Sequence, residues 1–229
     1  MLNPAFVLVH GSWHGPWCWA PLEEELRRRG AVTRTVALPS CDEDRARWVG
    51  LEGDARAVEE GAAAVEGPVV VVAHSYAGVV ASAAAMPPNV RSIVFLGAFM
   101  PDRGRSLVSY LPEGEPPPPF ARFDGPVSHF VAEAAPAHFY NTCAPEVAAA
   151  ATARLRDQDI RAISAPVGEP SWRSVPSDYV VLTQDRVLPV PLQERFATQA
   201  RRRHALDTDH SPFLCAPERL ADLLLRIAA

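Results

Sequence analysis

Short apolar runs of strand length alternate with helix-like segments along most of this chain, and this alternation limits its fold more than any other feature. The strand-like runs lie at 6–9, 33–38, 69–73, 90–96, 179–183 and 203–206. The helix-like segments lie at 19–29, 53–65, 76–85, 191–200 and 217–227. Such alternation is typical of a parallel sheet with helices on both faces. We therefore predict an α/β fold with a mostly parallel six-stranded sheet.

The alternation is interrupted between Pro101 and Val175. This stretch contains the prolines 116–119 and an alanine-rich segment that predicts a helix over 146–157. A chain of 229 residues with 48% hydrophobic content can bury one substantial core. We expect one core, formed by 1–103 and 176–229, and an inserted cap at 104–175.

Composition excludes several classes of function. The net charge of −5 does not suit binding to nucleic acid, which needs a basic surface. All 22 basic residues are arginines, so chemistry that depends on a lysine amine is excluded. No apolar run approaches the roughly 18 residues of a membrane-spanning helix, and the N-terminus lacks a basic leader. We expect a soluble cytoplasmic protein, a monomer or homodimer, without nucleic-acid or membrane partners.

The four cysteines are Cys18, Cys41, Cys143 and Cys215. They are widely spaced and form no C-x-x-C pair, so the sequence predicts neither a zinc site nor a disulfide framework. We expect reduced thiols, no metal and no cofactor.

Ser75 follows a run of valines and precedes a segment of small residues, in the order Ala73-His74-Ser75-Tyr76-Ala77-Gly78. This order predicts a strand, a sharp turn and a helix, with the serine at the turn. Small residues two places before and after the serine are required there, because the backbones approach closely. Ala73 and Ala77 stand where glycine is usual. Ser75 is thus a candidate nucleophile, although the same segment also fits an ordinary strand and helix.

The first strand-like run ends at His10-Gly11-Ser12-Trp13. Glycine permits a sharp turn there, which can direct a backbone N–H into a cleft. A tetrahedral oxyanion needs two preorganised donors, and the N–H groups of Ser12 and Tyr76 are the natural pair. The alternative is a plain turn between strand and helix.

An acid and a base follow the late strands. Asp185 follows the run 179–183 after one intervening residue, at a strand end where a carboxylate can orient an imidazole. Asp102 is its competitor, but we favour Asp185 because it follows the later strand. His210 lies in a polar loop after the last strand and is the candidate base, while His14 is expected to pack or hydrogen-bond in the first loop. The resulting order, serine, acid, histidine, is not that of chymotrypsin or subtilisin.

These residues resemble a known family, the small α/β-hydrolases that include plant methylesterases, hydroxynitrile lyases and many bacterial relatives. The most specific similarity is the opening stretch from Phe6 to Trp19, and it continues through 73–78, Phe139-Tyr140-Asn141, 179–189 and 210–213. The resemblance covers nearly the whole chain. It implies an α/β-hydrolase fold and a catalytic triad of Ser75, Asp185 and His210.

The family contains both esterases and lyases. In its plant lyases, the resemblance places threonine, an acidic residue and lysine at the positions where this chain has Gly11, His74 and Ser211. Without a lysine, the chain lacks the positive charge that would stabilise the cyanide anion in a lyase reaction. Dehalogenases and epoxide hydrolases need an aspartate at position 75. The resemblance therefore favours an esterase.

We predict acyl transfer through Ser75 from a small-molecule ester or thioester, either free or carried on coenzyme A or a carrier protein. Water as acceptor gives an esterase or thioesterase, whereas an alcohol or amine gives an acyltransferase. A binding module with a vestigial triad is the alternative from another class. Asp209 beside His210 is expected to raise the pKa of that histidine or to face solvent. Apolar candidates for the substrate pocket are Trp13, Leu111, Phe130, Phe139, Tyr140, Trp172 and Leu188.

Overall fold

A computed structural model describes residues 5–112, 114 and 116–229 of the chain. Nine strands follow one another along the chain: β1 (Ala5–Val9), β2 (Val32–Val36), β3 (Val69–His74), β4 (Val90–Leu96), β5 (Ala121–Asp124), β6 (Val127–Phe130), β7 (Gln158–Asp159), β8 (Ser177–Leu182) and β9 (Arg202–Leu206). Six of them form one sheet in the order β2-β1-β3-β4-β8-β9, and every neighbouring pair is parallel. The predicted α/β fold with a six-stranded sheet is confirmed.

The α-helices are α1 (Ala20–Arg28), α2 (Gly50–Ala63), α3 (Ala77–Ala83), α4 (Ala135–Phe139), α5 (Pro145–Thr152), α6 (Ile160–Ser164), α7 (Val190–Ala197), α8 (Pro212–Cys215) and α9 (Pro217–Ala228). Short 3₁₀ helices lie at Pro16–Trp19, Pro39–Cys41, Arg45–Arg47, Val108–Tyr110 and Ser171–Arg173. Within the described residues, no helix combines the length and the apolar character needed to cross a lipid bilayer.

Helices cover the sheet on both faces because successive side chains of a strand point to opposite sides. In β1, Val7 and Val9 belong to the apolar cluster formed with α2, α3 and α7. Phe6 and Leu8 belong to the cluster on the other face, formed with α1 and α9. A sheet buried on both faces needs the near-continuous apolar strands that this sequence has.

The strand register brings four loops together at the carboxyl ends of the parallel strands. Val9 pairs with Ala73, Ala73 with Phe95, and Leu182 with Leu206. The carboxyl ends of β1, β3, β8 and β9 therefore meet, and the loops that follow them carry the candidate residues. Ligands of open parallel sheets bind at this edge.

The segment between β4 and β8 forms a second, three-stranded sheet in the order β5-β6-β7, with antiparallel pairs. This second sheet has no counterpart among the elements predicted from the sequence. The predicted helix over 146–157 is wrong at its C-terminal end, because α5 ends at Thr152 and Gln158 and Asp159 pair with β6. The proposed boundaries of the cap, at 104 and 175, stay a prediction.

Candidate active site

The turn between β3 and α3 holds Ser75 in a strained conformation, with φ of 55°. A non-glycine residue pays for this geometry in backbone energy, on the order of 1–3 kcal/mol. The Ser75 carbonyl accepts a hydrogen bond from Phe99 N at 3.1 Å, which ties the turn to the end of β4. A Cβ atom on Gly78 would lie 1.9 Å from the Phe99 carbonyl oxygen. Glycine is thus required at position 78, whereas the alanines at 73 and 77 fit.

The loop after β1 lies directly against this turn. A Cβ atom on Gly11 would be 2.8 Å from Cβ of Ser75, so only glycine lets the two backbones approach. Trp13 has φ of 61° and is fixed by its carbonyl, which accepts from Arg156 N at 2.8 Å. Within the described residues, the backbone N–H groups of Ser12 and Tyr76 donate to no acceptor. These two N–H groups are therefore unpaired donors of the kind that an oxyanion site requires.

Asp185 and His210 form the buried pair expected from the sequence. Nδ1 of His210 donates to Oδ2 of Asp185 at 2.8 Å, and both side chains are almost fully buried. Oδ1 of Asp185 accepts from the backbone N–H groups of Val187 at 2.7 Å and Leu188 at 3.0 Å. The imidazole therefore has a fixed orientation with its Nε2 free, because this nitrogen has no partner within the described residues.

Gln193 is a further contact of this pair that the sequence analysis missed. Its amide nitrogen donates to Oδ2 of Asp185 at 2.9 Å and to the carbonyl of Leu188 at 2.8 Å. Its amide oxygen accepts from Leu182 N at 2.9 Å. Gln193 is fully buried and links the end of β8 to the carboxylate. A polar residue within the otherwise apolar face of α7 was the signal that could have indicated it.

The other acidic candidate lies elsewhere. Asp102 is half-exposed and pairs with Arg173 at 2.6 Å, on the surface. Of the two alternatives for Asp209, the one in which its side chain faces solvent is wrong, because Asp209 is fully buried. Its carboxylate accepts from the backbone N–H groups of Thr142 at 2.7 Å and Ser211 at 2.9 Å.

Three more histidines are buried around the site. Nδ1 of His14 is 2.8 Å from the Ser12 carbonyl, and Nε2 accepts from the Tyr140 hydroxyl at 2.9 Å, which confirms its predicted hydrogen-bonding role. Nε2 of His10 accepts from Leu38 N at 3.1 Å. Burial lowers the pKa of His10 to about 4 and that of His14 to about 3. Burial also holds the pKa of His74 well below its usual range, so these three imidazoles are neutral at pH 7.

The side chain of Tyr76 is anchored by a buried carboxylate, that of Asp54. Its hydroxyl donates to Oδ2 of Asp54 at 2.6 Å, and Ser40 donates to the same carboxylate through its N–H at 2.9 Å and its hydroxyl at 2.6 Å. Burial raises the pKa of Asp54 to about 6, against the lowering effect of these hydrogen bonds. The anchor fixes the side chain of the residue whose backbone N–H is a candidate oxyanion donor.

A small cavity of about 70 Å³ opens beside Ser75. Apart from Ser12 and Ser75, its lining is apolar: Trp13, Phe99, Leu107, Leu111, Pro118, Phe120, Ala121, Phe123, Ile163 and Val187. Most of these residues come from the segment between β4 and β8. The cavity suits an apolar group held next to the Ser75 hydroxyl.

Two of the predicted pocket residues, Trp13 and Leu111, line this cavity, and the structure places the other five outside its lining. Phe139 packs against Trp13 with ring centroids 5.8 Å apart, and Phe130 packs on the same cluster. Tyr140 is held by His14, as described above. Trp172 donates its indole N–H to the Pro101 carbonyl at 2.9 Å, and Leu188 is buried in the core. These five side chains therefore pack in apolar clusters and do not line the cavity.

Comparison with known proteins gives a consistent family. The model of the alpha/beta hydrolase family matches residues 6–223. Methylesterase 7 of Arabidopsis thaliana is 30% identical over 269 aligned positions, which cover 97% of this chain and 95% of that protein. A carbendazim hydrolyzing esterase of Nocardioides sp. (strain SG-4G) is 39% identical over 127 positions, which cover 52% of this chain and 52% of that protein. The crystal structure of polyneuridine aldehyde esterase superposes with a TM-score of 0.85, at 21% identity, over 99% of this chain and 100% of that one. The chain is therefore an enzyme of the alpha/beta hydrolase family, similar to that family's esterases.

Proposed function

We propose that this enzyme is a serine esterase that cleaves an ester or thioester through an acyl intermediate on Ser75. The observation that carries the proposal is the position of Ser75, in a strained turn at the cavity, beside two unpaired backbone N–H groups. Strain of this kind persists only where the surrounding structure enforces it, and it is typical of active sites.

In the first half of the reaction, Nε2 of His210 accepts the Ser75 hydroxyl proton while Oγ bonds to the substrate carbonyl carbon. The carbonyl oxygen gains the electron pair of the broken π bond and accepts hydrogen bonds from the N–H groups of Ser12 and Tyr76. Asp185 stabilises the imidazolium. As the tetrahedral intermediate collapses, His210 gives its proton to the departing alcohol or thiol, and the acyl group stays on Ser75.

Water completes the cycle. His210 removes a proton from a water molecule as that water attacks the acyl carbon, and then returns a proton to Ser75 Oγ as the acid leaves. Hydrolysis is favoured over transfer to another acceptor because the similar proteins reported above are named as esterases. The small apolar cavity supports an apolar acyl group of limited size.

The Ser75→Ala variant tests the nucleophile. We expect turnover of activated aryl esters to fall by roughly 10³- to 10⁶-fold, and labelling by a fluorophosphonate probe to disappear. Ser174→Ala, an exposed serine in the loop before β8, is the matched control and should keep both. Full activity in Ser75→Ala, or labelling of another residue, would refute the proposal.

Product analysis tests the acceptor. Incubation of an ester donor with saturating alcohol or amine should still yield mainly the free acid. If the acylated acceptor predominates, the enzyme is a transferase and the hydrolytic part of the proposal is wrong.

A further inference from the structure

Two cysteines that lie far apart in the sequence meet at the buried carboxylate of Asp209. Sγ of Cys215 is 3.1 Å from Oδ1, and Sγ of Cys143 is 3.7 Å from Oδ2. All three ligand atoms lie within 4.8 Å of one another. Spacing along the sequence gave no indication of this cluster, because Cys143 lies in the segment before α5 and Cys215 ends α8.

The electrostatics of the cluster suit a cation. Asp209 is fully buried, and within the described residues no arginine or histidine forms an ion pair with it. Its donors are two backbone N–H groups and the two thiols. A buried carboxylate is ordinarily paired with a charge or bound to a metal, because burying it alone is costly.

The geometry suits one kind of cation. Zinc bonds of about 2.3 Å to sulfur and about 2.0–2.2 Å to oxygen place tetrahedral ligands roughly 3.4–3.8 Å apart. The two sulfur–oxygen separations, 3.1 and 3.7 Å, lie on either side of the sulfur–oxygen separation in such a site. The partly exposed thiols leave a side open for a fourth ligand. The Thr142 hydroxyl, 3.4 Å from Sγ of Cys215, is one candidate and water is another.

We propose that Cys143, Asp209 and Cys215 form a binding site for a thiophilic divalent cation such as Zn²⁺. Binding forms two metal–sulfur bonds and one metal–oxygen bond, breaks two S–H bonds and releases two protons to solvent, with no change in oxidation state. The cation joins the segment between β4 and β8 to the loop that carries His210, since Thr142 and Ser211 are both held by Asp209. It therefore stabilises the folded chain at the edge of the candidate active site.

Co²⁺ and Zn²⁺ titrations of the reduced full-length enzyme, with a non-thiol reductant, test this site. We expect one Co²⁺ per chain with thiolate-to-cobalt charge-transfer absorption, and a rise in the thermal unfolding midpoint with Zn²⁺. The double variant Cys143→Ser/Cys215→Ser should lose the absorption, bind roughly 100-fold more weakly and show no rise. The double variant Cys18→Ala/Cys41→Ala removes as many thiols elsewhere and should behave like the parent.

Asp209→Asn is expected to weaken binding as well. If its lost hydrogen bonds prevent folding, the cysteine variants still decide the question, since serine preserves the local shape. Equal metal uptake in Cys143→Ser/Cys215→Ser, or uptake without sulfur-to-metal absorption, overturns the proposal. So does a reduced enzyme that binds no metal but forms a Cys143–Cys215 disulfide on air oxidation, found by peptide mapping.

Discussion

The acid–base side and the oxyanion side of the candidate site are built in opposite ways. On the acid–base side, the Asp185 carboxylate accepts hydrogen bonds from two backbone N–H groups, from Gln193 and from His210. On the oxyanion side, the N–H groups of Ser12 and Tyr76 have no protein acceptor within the described residues. The first side fixes the positions of a carboxyl group and the imidazole bonded to it, and the second keeps donors ready for a charge that develops only during reaction.

The two sides also differ in how their backbone is held. Both described non-glycine residues with positive φ, Trp13 and Ser75, belong to the oxyanion side. Their strain is offset by buried supports, which are the His14 contact to the Ser12 carbonyl and the Asp54 contact to Tyr76. Perturbing these supports, or those of Asp185, separates the roles of the two sides.

The largest expected effect is acid destabilisation through the histidine support. The folded-state pKa of His14, about 3, lies below the ordinary value of 6.5, because burial disfavours the charged ring. The folded state thus binds fewer protons than the unfolded chain between these values, and stability falls as pH drops through this window. The loss from His14 is on the order of 4 kcal/mol near pH 3, and His10, with a pKa of about 4, adds to it.

Asp54 acts in the reverse direction. Its folded-state pKa of about 6 lies above the ordinary 3.8, so the folded state binds the proton more tightly than the unfolded chain. The stability that this proton provides is lost as pH rises from about 4 to 6. Two histidines outweigh one carboxylate, and the net result is lower stability in acid. Urea unfolding of His14→Gln between pH 4 and 6.5 should show a pH slope reduced by about 1.4 kcal/mol per unit. An unchanged slope in His14→Gln would contradict this account.

The approach of the two backbones at Gly11 gives the next effect. In Gly11→Ala, the new Cβ would lie 2.8 Å from Cβ of Ser75, so the loop must shift and the Ser12 N–H must move with it. We expect kcat to fall by roughly 10²- to 10³-fold, the loss typical of a missing oxyanion donor. Steady-state kinetics on an aryl ester measure it. Gly168→Ala, where the added atom meets nothing within 4 Å, should leave kcat unchanged, and similar kinetics in both variants would disprove the predicted clash.

On the acid–base side, Gln193→Ala should have a smaller effect because three other donors still hold Asp185. We expect kcat to drop by roughly 10- to 100-fold with little change in KM, as for other residues that orient a catalytic group. The acidic limb of the kcat pH profile should shift as well, which a purely structural change would not cause. Gln199→Ala, just beyond the same helix, is the matched control, and a change in KM alone would argue against a positioning role.

Most of the fold was predictable because its signals are local. The alternation of apolar runs placed all six strands of the main sheet, and residues after strand ends identified Ser75, Asp185 and His210 as candidates that the register then brings to one edge. Helix ends were less accurate. The α5 helix ends at Thr152, and within the rest of the predicted range Arg156 N donates to the Trp13 carbonyl, a distant contact with no local signal.

The remaining features depend on packing between distant residues. The need for glycine at 78 arises from the Phe99 carbonyl, which arrives from the end of the next strand. The aromatic residues chosen for the pocket, such as Phe139 and Trp172, were selected by type, and type alone does not separate a lining residue from one that packs behind it. Cys143 and Cys215 meet only because the segment between β4 and β8 contacts the loop that carries His210.

The smallest expected effect concerns the size of the acyl group. Ala121 lines the cavity of about 70 Å³ from β5, so Ala121→Leu should occupy part of that volume. With a series of esters of increasing acyl length, kcat/KM for the longest accepted acyl group should fall by about 10-fold relative to acetate, since one methylene in such a pocket is worth about 1–3 kcal/mol. Ala132→Leu, exposed in the same segment, should leave the ratio unchanged. If both variants keep the parental length preference, the acyl group binds outside this cavity, and the apolar lining serves the fold and not the substrate.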